Sequence, residues 1–213
     1  MRFNNFGNVL VLAPHTDDAE LGCGGFIAEL LSMGACVDYL VFSSADESLP
    51  HGFKKGTTRT EQYLAAKKLG VVEERVILKS FPVRHFGEFR QEILQAMINV
   101  RNSKDFDLVL LPCRGDVHQD HGVVSEEGIR AFKAVSILGY QMPWNNLVTE
   151  SSCIARLSSS SVEAKVVALA EFKSQAHRVY MSPDYTRASA MVNGVNCGCE
   201  FAEIFEVVRW VIN

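Results

Sequence analysis

The sequence predicts an α/β fold, a Rossmann-like three-layer α/β/α arrangement with a mostly parallel sheet. Short apolar runs typical of buried strands alternate with helical stretches of about ten to fifteen residues, which is the pattern of βαβ units with right-handed crossovers. The first apolar run ends in a cluster of ionisable residues, followed by glycines and a helical stretch. That layout is typical of an active-site edge in an open α/β sheet.

The first half of the chain carries the regular alternation. Residues 9–13 form a continuous apolar run, as expected for a central parallel strand, and a helix is predicted over residues 19–33, where Gly34 ends it. The same reasoning predicts further strands over residues 36–42, 76–78 and 108–111, and helices over residues 58–69, 89–101 and 122–134.

The second half is less regular. Ser160 and Glu163 have the spacing of a capping box, which predicts a helix from there through residue 172. Short strands are predicted over residues 137–140, 152–157 and 205–212. Because no internal repeat, low-complexity segment or linker interrupts the sequence, we expect a single domain spanning residues 1–213.

Charge and cysteine content exclude several classes of partner. The net charge is −4 and the basic residues do not cluster, so neither a nucleic acid nor an anionic membrane is an expected partner. No apolar run reaches the roughly 18 residues of a transmembrane helix, and the start of the chain lacks the pattern of a signal peptide. Six scattered cysteines without a CxxC pair are expected to be reduced core thiols, and the protein to be cytoplasmic.

Metal-ligand side chains follow the first and fourth predicted strands. His15, Asp17 and Asp18 come directly after Pro14, which ends the first apolar run. Residues 116–121, Asp-Val-His-Gln-Asp-His, come after the strand predicted over residues 108–111. Because the loops after different parallel strands gather at the carboxyl edge of the sheet, these two motifs are expected to meet.

The combined motifs supply the ligands of a catalytic zinc site. Such a site needs three protein ligands from histidine and carboxylate, with a fourth position open for water. His15, Asp18 and His121 would provide the three ligands. Zn²⁺ is therefore the expected cofactor, and another divalent transition metal would suit the same donors.

The remaining ionisable residues fit catalytic roles. Asp17, next to a ligand but with its own carboxylate, is the expected general base. A protonated His118 would stabilise the developing oxyanion. Asp120 is expected to fix the tautomer of His118 and raise its pKa.

Each motif taken alone has a plainer interpretation. Paired aspartates before a helix are typical of an N-cap and a helix-dipole partner, and a lone His-x-x-His is typical of a solvated loop. Two such motifs, each after a predicted strand, favour a shared site instead. A non-catalytic metal- or sugar-binding protein on the same scaffold remains the alternative, and the intact Asp17 argues for catalysis.

A receiver-type signalling domain is a rival from another class. It also places paired acids after its first strand, where they bind magnesium, but it needs an aspartate after its third strand. Here Lys79 and Ser80 follow the third predicted strand, and that fold gives no role to His118 and His121. The sequence therefore disfavours a receiver domain.

The same residues resemble a known family. Residues 14–20, Pro-His-Thr-Asp-Asp-Ala-Glu, resemble the Pro-His-Pro-Asp-Asp-x-Glu signature of the PIG-L/LmbE-like zinc de-N-acetylases. Residues 116–121 resemble that family's second motif. Weaker similarity continues through residues 59–70, Lys165, Ser174, Gln175 and residues 201–205. Thr16 departs from the family's proline, which would stiffen the turn.

The resemblance implies the activity and the site. It implies hydrolysis of the acetamide of an N-acetylated amino sugar, in the form of an N-acetylglucosamine-type conjugate, a glycoside or a sugar nucleotide. It also implies zinc ligation by His15, Asp18 and His121, with Asp17 as the base. An arginine at the position of Arg59 would face the sugar, although a plain surface arginine is an equal interpretation.

Three loops are expected to line the pocket, namely residues 43–57, 81–88 and 139–150. A positive cluster of Arg84, His85 and Arg90 could contact an anionic part of the substrate or form a solvated face. Trp144 is a candidate anchor for contact with a second copy of the chain, as in a homo-oligomer.

Overall fold

The computed structural model describes residues 6–148 and 152–212. Within these ranges the strands are β1 (Asn8–His15), β2 (Cys36–Ser43), β3 (Val76–Leu78), β4 (Leu108–Pro112), β5 (Ser136–Tyr140), β6 (Cys153–Leu157) and β7 (Phe201–Arg209). The helices are α1 (Asp18–Ser32), α2 (Thr57–Leu69), α3 (Arg90–Ser103), α4 (Gln119–Ala131), α5 (Ser159–Leu169) and α6 (Pro183–Val195).

The strands form one mostly parallel sheet in the order β3-β2-β1-β4-β5-β7-β6. The first five strands in the chain pair in parallel, whereas β7 is antiparallel to both β5 and β6. The chain runs from β1 outward to β3 and then returns to place β4 on the other side of β1. The point between β1 and β4 is therefore the topological switch point, where open α/β sheets bind their ligands.

Side chains of β1 alternate between the two faces of the sheet. Val9 and Val11 belong to one apolar core, and Leu10 and Leu12 belong to another on the opposite face. The first core includes side chains of α1, α2 and α5, and the second includes side chains of α3 and α4. The predicted three-layer α/β/α fold is confirmed.

Several predicted boundaries needed correction. The fourth helix begins at Gln119 with His118 as its N-cap, three residues before the predicted start. The predicted capping box at Ser160 is wrong, because Ser158 caps α5 and accepts a hydrogen bond from the Ser161 amide. The last strand begins at Phe201 because β7 pairs with both β5 and β6, a long-range arrangement that local propensity does not encode.

The six cysteines are all free thiols. Only Cys23 and Cys113 are buried, so the expectation of core thiols is right for these two alone. Cys197 and Cys199 are partly exposed, with their sulfur atoms 3.3 Å apart. In the part of the chain that the structure describes, no helix combines the length and the apolar character needed to cross a membrane.

Candidate metal centre and active site

The three predicted zinc ligands come from the ends of neighbouring elements. His15 is the last residue of β1, Asp18 is the first residue of α1, and His121 lies in the first turn of α4. Because β1 pairs with β4, the segment after β4 brings His121 back beside the end of β1. All three side chains are buried, so their positions are fixed by packing.

Their donor atoms form a nearly equilateral triangle. Asp18 Oδ2 lies 3.2 Å from His15 Nδ1 and 3.3 Å from His121 Nε2, and the two ring nitrogens are 3.4 Å apart. Zinc bonds to nitrogen and oxygen of about 2.0–2.1 Å give a regular tetrahedron with edges of about 3.3–3.4 Å. The triangle therefore has the dimensions of one face of a tetrahedral zinc site.

Carboxylates lie behind both histidines. Asp120 Oδ2 is 2.9 Å from His15 Nε2, and Asp116 Oδ2 is 2.7 Å from His121 Nδ1. In each ring this is the nitrogen that does not belong to the donor triangle. A carboxylate that accepts a hydrogen bond from the outer N–H leaves the inner nitrogen as a lone-pair donor, which is how metal-bound histidines are usually held.

A second group of residues could also hold an ion. Ligand atoms of His15, His118 and Asp120 lie within 4.8 Å of one another. The Asp120 carboxylate, however, already accepts hydrogen bonds from the amides of Arg84 at 2.6 Å and Phe86 at 3.4 Å. The group that contains Asp18 has the tetrahedral spacing, so it is the better candidate.

The centre has an excess of negative groups that attract a cation. Burial works against a charge on His121, but Asp18 and Asp116 outweigh it and raise the pKa of His121 to about 10. Burial likewise opposes protonation of His15, yet Asp120 and Asp18 raise its pKa. The same two histidines overcome burial to hold the pKa of Asp18 far below its usual range. A divalent cation bound at the centre would balance the negative charge of the same carboxylates.

Asp17 lies at the turn between β1 and α1. It adopts a left-handed backbone conformation with φ 91°, which costs about 1–2 kcal/mol for a residue other than glycine. Asp17 lines the cavity at the centre. Burial, reinforced by the charge of Asp18, raises the pKa of Asp17 to about 7. A pKa of about 7 is what a general base requires near neutral pH.

His118 differs from its predicted state. Its Nδ1 accepts a hydrogen bond from the Asp120 amide at 3.2 Å, so the ring proton is on Nε2. Burial and the neighbouring histidines lower the pKa of His118. The Asp120 carboxylate faces His15 and does not pair with His118 as predicted. Its charge does favour protonation of His118, but burial and the two neighbouring histidines outweigh it, so the pKa of His118 is lowered overall. His118 is a neutral donor at the cavity wall.

The cavity over the centre has a volume of about 320 Å³. All three predicted loops contribute to its wall, which confirms that expectation for the described residues; residues 149 and 150 lie outside them. Arg59 is exposed on α2 and does not line this cavity, whereas its neighbour Thr58 does. The cavity arginines are Arg84 and Arg178.

The positive cluster at residues 84–90 does not act as a unit. Arg90 pairs with Glu126 and Glu127, and His85 pairs with Glu88. Arg84 is the member that reaches the cavity.

No role was predicted for Asp116, although it is part of the second motif. Its pattern, an acidic residue five positions before a ligand histidine, could have signalled a supporting carboxylate. Gln175, Arg178 and Tyr180 also line the cavity and were not predicted, because only the tertiary fold brings them there.

Two weaker similarities to the family are explained by packing. Glu61 accepts hydrogen bonds from the amide and hydroxyl of Ser174 at 2.8 and 2.6 Å, which ties α2 to the segment after α5. Lys165 pairs with Glu203 at 2.7 Å, which ties α5 to β7. These residues support the walls rather than the metal centre.

Comparison with known proteins shows similarity in both sequence and fold. The chain is 26% identical over 166 residues to the diacetylchitobiose deacetylase of Thermococcus kodakarensis, a match that covers 76% of this chain and 60% of that relative's length. Among solved structures, the N,N'-diacetylchitobiose deacetylase of Pyrococcus horikoshii is 20% identical, with a TM-score of 0.74 and coverage of 97% of this chain and 85% of that one.

The fold alone does not determine the reaction. A 4-carboxy-2-hydroxymuconate hydratase, GalB of Pseudomonas putida KT2440, is 18% identical with a TM-score of 0.75, covering 97% of this chain and 98% of that one. The family match is more specific, since PIG-L, described as GlcNAc-PI de-N-acetylase, matches residues 10–132. Because this match spans more than half of the chain and contains both motifs, the chain belongs to the PIG-L family.

Proposed function

We propose that this protein is a zinc-dependent hydrolase that removes the acetyl group from an N-acetylated amino sugar. The observation that carries the proposal is the donor triangle of His15, Asp18 and His121, with the Asp17 carboxylate beside it. Membership of a de-N-acetylase family and the likeness to a diacetylchitobiose deacetylase support the reaction and the class of substrate.

His15, Asp18 and His121 would hold the zinc ion. When bound, zinc supplies Lewis-acid chemistry, because it polarises an acetamide carbonyl and makes water a stronger acid. Another divalent transition metal would fit the same nitrogen and oxygen donors. The carboxylates of Asp116 and Asp120 would keep the two rings in the tautomer that ligation needs.

Two side chains of the protein, Asp17 and His118, would carry out the proton transfer and the hydrogen bonding of the reaction. Asp17 takes a proton from the attacking water, since a base with a pKa of about 7 is ready to accept one at neutral pH. His118 donates from its Nε2–H to the carbonyl oxygen as that oxygen gains negative charge. The proton held by Asp17 then passes to the leaving amine, which releases acetate and the free amino sugar.

Acetate release by the full-length chain tests the proposal. Zinc-loaded protein is incubated with N-acetylglucosamine and with N,N'-diacetylchitobiose, and free acetate and free amine are measured. We expect Asp17→Asn to retain zinc but to lose about 10²–10⁴-fold in turnover, the usual contribution of a general base. His121→Ala should lose the metal itself. Asp105→Asn, at an exposed position, is the matched control and should behave as the unmodified chain.

The outcomes separate the rival functions. Tight zinc binding with no acetate from either sugar would support the non-catalytic metal- or sugar-binding alternative. Full turnover in Asp17→Asn would remove that residue from the mechanism.

A further inference from the structure

A second cavity of about 230 Å³ adjoins the cavity over the metal centre. The two share part of their walls, where Leu21 of α1 meets the loop that contains Met142, Pro143 and Trp144. Most of the remaining wall of the second cavity comes from α5, α6 and the strands β6 and β7. A substrate held at the centre could therefore extend past Trp144 into this space.

The side chain of Trp144 contributes little to the packed core of the protein. That side chain is 86% exposed, and the backbone of Trp144 is left-handed with φ 83°, which strains a bulky residue. It makes a ring contact with Tyr180, at a centroid distance of 6.3 Å, but buries little surface. An exposed aromatic ring on a strained loop between two cavities is well placed to contact the face of a sugar.

The second cavity presents neutral hydrogen-bonding groups. Tyr185, Ser189 and Asn193 are spaced four residues apart on α6, so they lie on one face of that helix and line the cavity together. They provide two hydroxyls and a carboxamide, each able to donate and to accept. Hydroxyl-rich ligands need such groups.

The charges in this cavity neutralise each other. Lys165 Nζ donates to Glu203 Oε1 at 2.7 Å and to the Leu21 carbonyl at 2.8 Å. The Glu203 carboxylate also accepts from the amides of Gly25 at 3.0 Å and Phe26 at 2.7 Å. The pair has these partners within the protein, so the cavity suits a neutral ligand better than a phosphate.

We propose that the second cavity is a subsite for a neutral sugar ring attached to the N-acetylated ring. The proposal rests on the proposed function, because it takes the acetylated ring to lie at the metal centre. Trp144 would form the platform between the two rings, and the α6 face would bind the hydroxyls of the second ring. The preferred substrate is then a glycoside of at least two rings rather than a single sugar or a sugar nucleotide.

Tryptophan fluorescence tests this subsite without turnover. The chain has two tryptophans, so Trp210→Phe leaves Trp144 as the single reporter. With Asp17→Asn added to block hydrolysis, the zinc-loaded protein is titrated with N-acetylglucosamine, N,N'-diacetylchitobiose and UDP-N-acetylglucosamine. We expect the disaccharide to change Trp144 emission and to bind at least about tenfold more tightly than the other two, as one or two added hydrogen bonds would give.

Asn193→Leu tests the α6 face and Val192→Leu is its matched control. Val192 is the adjacent residue on the same helix, 68% exposed and outside the cavity wall. Asn193→Leu should reduce the ratio of disaccharide to monosaccharide affinity by about tenfold, and Val192→Leu should not change it. Equal affinity for the two sugars, a preference for the nucleotide, or an unchanged ratio in Asn193→Leu would overturn the subsite.

The two proposals fail in different ways. Absence of acetate release by the chain with Asp17 intact would count against the proposed function alone, because the fluorescence titration reports binding and not hydrolysis. Acetate release at equal kcat/KM from both sugars, with equal affinities, would overturn the subsite and leave the hydrolase in place.

Discussion

The carboxylate of Asp120 lies 2.9 Å from Nε2 of His15, on the side of the ring opposite Asp18. Nδ1 of the same ring faces Asp18 at 3.2 Å. His121 repeats the arrangement, since it lies between Asp116 and Asp18. Each histidine is therefore held at both nitrogens, with the inner one directed to the centre.

This relationship predicts that Asp120→Asn weakens metal binding. An asparagine keeps the size of the side chain but no longer holds the outer proton of His15 as a carboxylate does. Loss of such a supporting partner typically costs about 10–100-fold in metal affinity. The zinc affinity of the full chain, measured by competition with a chromophoric chelator, checks this. Asp105→Asn is the surface control. If Asp120→Asn binds zinc normally but turns over slowly, Asp120 acts on a step other than metal binding.

His118→Ala should separate catalysis from metal binding. His118 lies outside the donor triangle, so zinc affinity should be retained, while turnover falls about 10²–10³-fold through the loss of one oxyanion donor. The variant also removes the N-cap of α4, which costs about 1 kcal/mol of stability. His118→Asn restores a capping side chain, so it should recover the stability but not the turnover.

Zinc content and acetate release are measured on both His118 variants. If His118→Ala loses its zinc, the ion is held by His15, His118 and Asp120 instead, and the assignment of Asp18 as a ligand is wrong.

Gly22→Ala should destabilise the fold. A Cβ at this position would overlap the ring of Tyr140, within 2.9 Å of its Cε2 and Cγ atoms. That ring is fully buried, and its hydroxyl donates to the Leu12 carbonyl at 3.0 Å, so it cannot move aside freely. Overpacking of this kind costs about 1–3 kcal/mol. Urea denaturation measures the free energy of unfolding.

Gly122→Ala is the matched control for this glycine. Gly122 lies within α4, and a Cβ there would meet no atom within 4 Å. The substitution should stabilise the chain by up to about 1 kcal/mol, because alanine favours the helix. Equal changes in the free energy of unfolding for the two substitutions would show that the Tyr140 ring moves aside at little cost.

Much of this architecture was predictable because its signals are local. The apolar run of β1 and the His15–Asp18 cluster that ends it are adjacent in the sequence, and parallel topology places the second motif at the same edge. The family match confirms the predicted resemblance. The roles predicted for Asp17 and His118 stay predictions, because their test is turnover.

The parts that were not predicted depend on long-range contacts or weak signals. The helix α6 was missed although Ser182 and Pro183 form a typical cap and first position, because Gly194 and the β-branched residues obscure its periodicity. Asp120 was assigned to His118, two positions before it in the sequence. Its actual partner, His15, is 105 positions away and is reached only through the pairing of β1 with β4.

Glu29 predicts a pH dependence of stability outside the active site. Its Oε2 accepts hydrogen bonds from the amide and hydroxyl of Ser158, at 3.0 and 2.9 Å, and from the hydroxyl of Ser161 at 2.7 Å. Burial opposes the charge, but these donors outweigh it and lower the pKa of Glu29 below its ordinary value of 4.5. The carboxylate thus joins α1 to the N-terminus of α5.

The direction in which stability changes with pH follows from the lowered pKa of Glu29. Near and below pH 4.5 the unfolded chain binds more protons at this residue than the folded chain, so the stabilisation is present above pH 4.5 and is lost as the pH falls through the lowered pKa. Glu29→Gln should cost about 1 kcal/mol at pH 7, a value kept small because the side chain is partly exposed to solvent. The difference from the unmodified chain should shrink toward zero in acid.

Urea denaturation of both chains between pH 3 and pH 8, values chosen to span this transition, measures the difference. Glu163→Gln is the control, because Glu163 pairs with Arg187 on the exposed surface and its replacement should leave the unfolding free energy unchanged. A Glu29→Gln deficit that stays constant from neutral pH into acid would mean that the amide loses packing rather than charge-assisted hydrogen bonds. The link between α1 and α5 would then be steric.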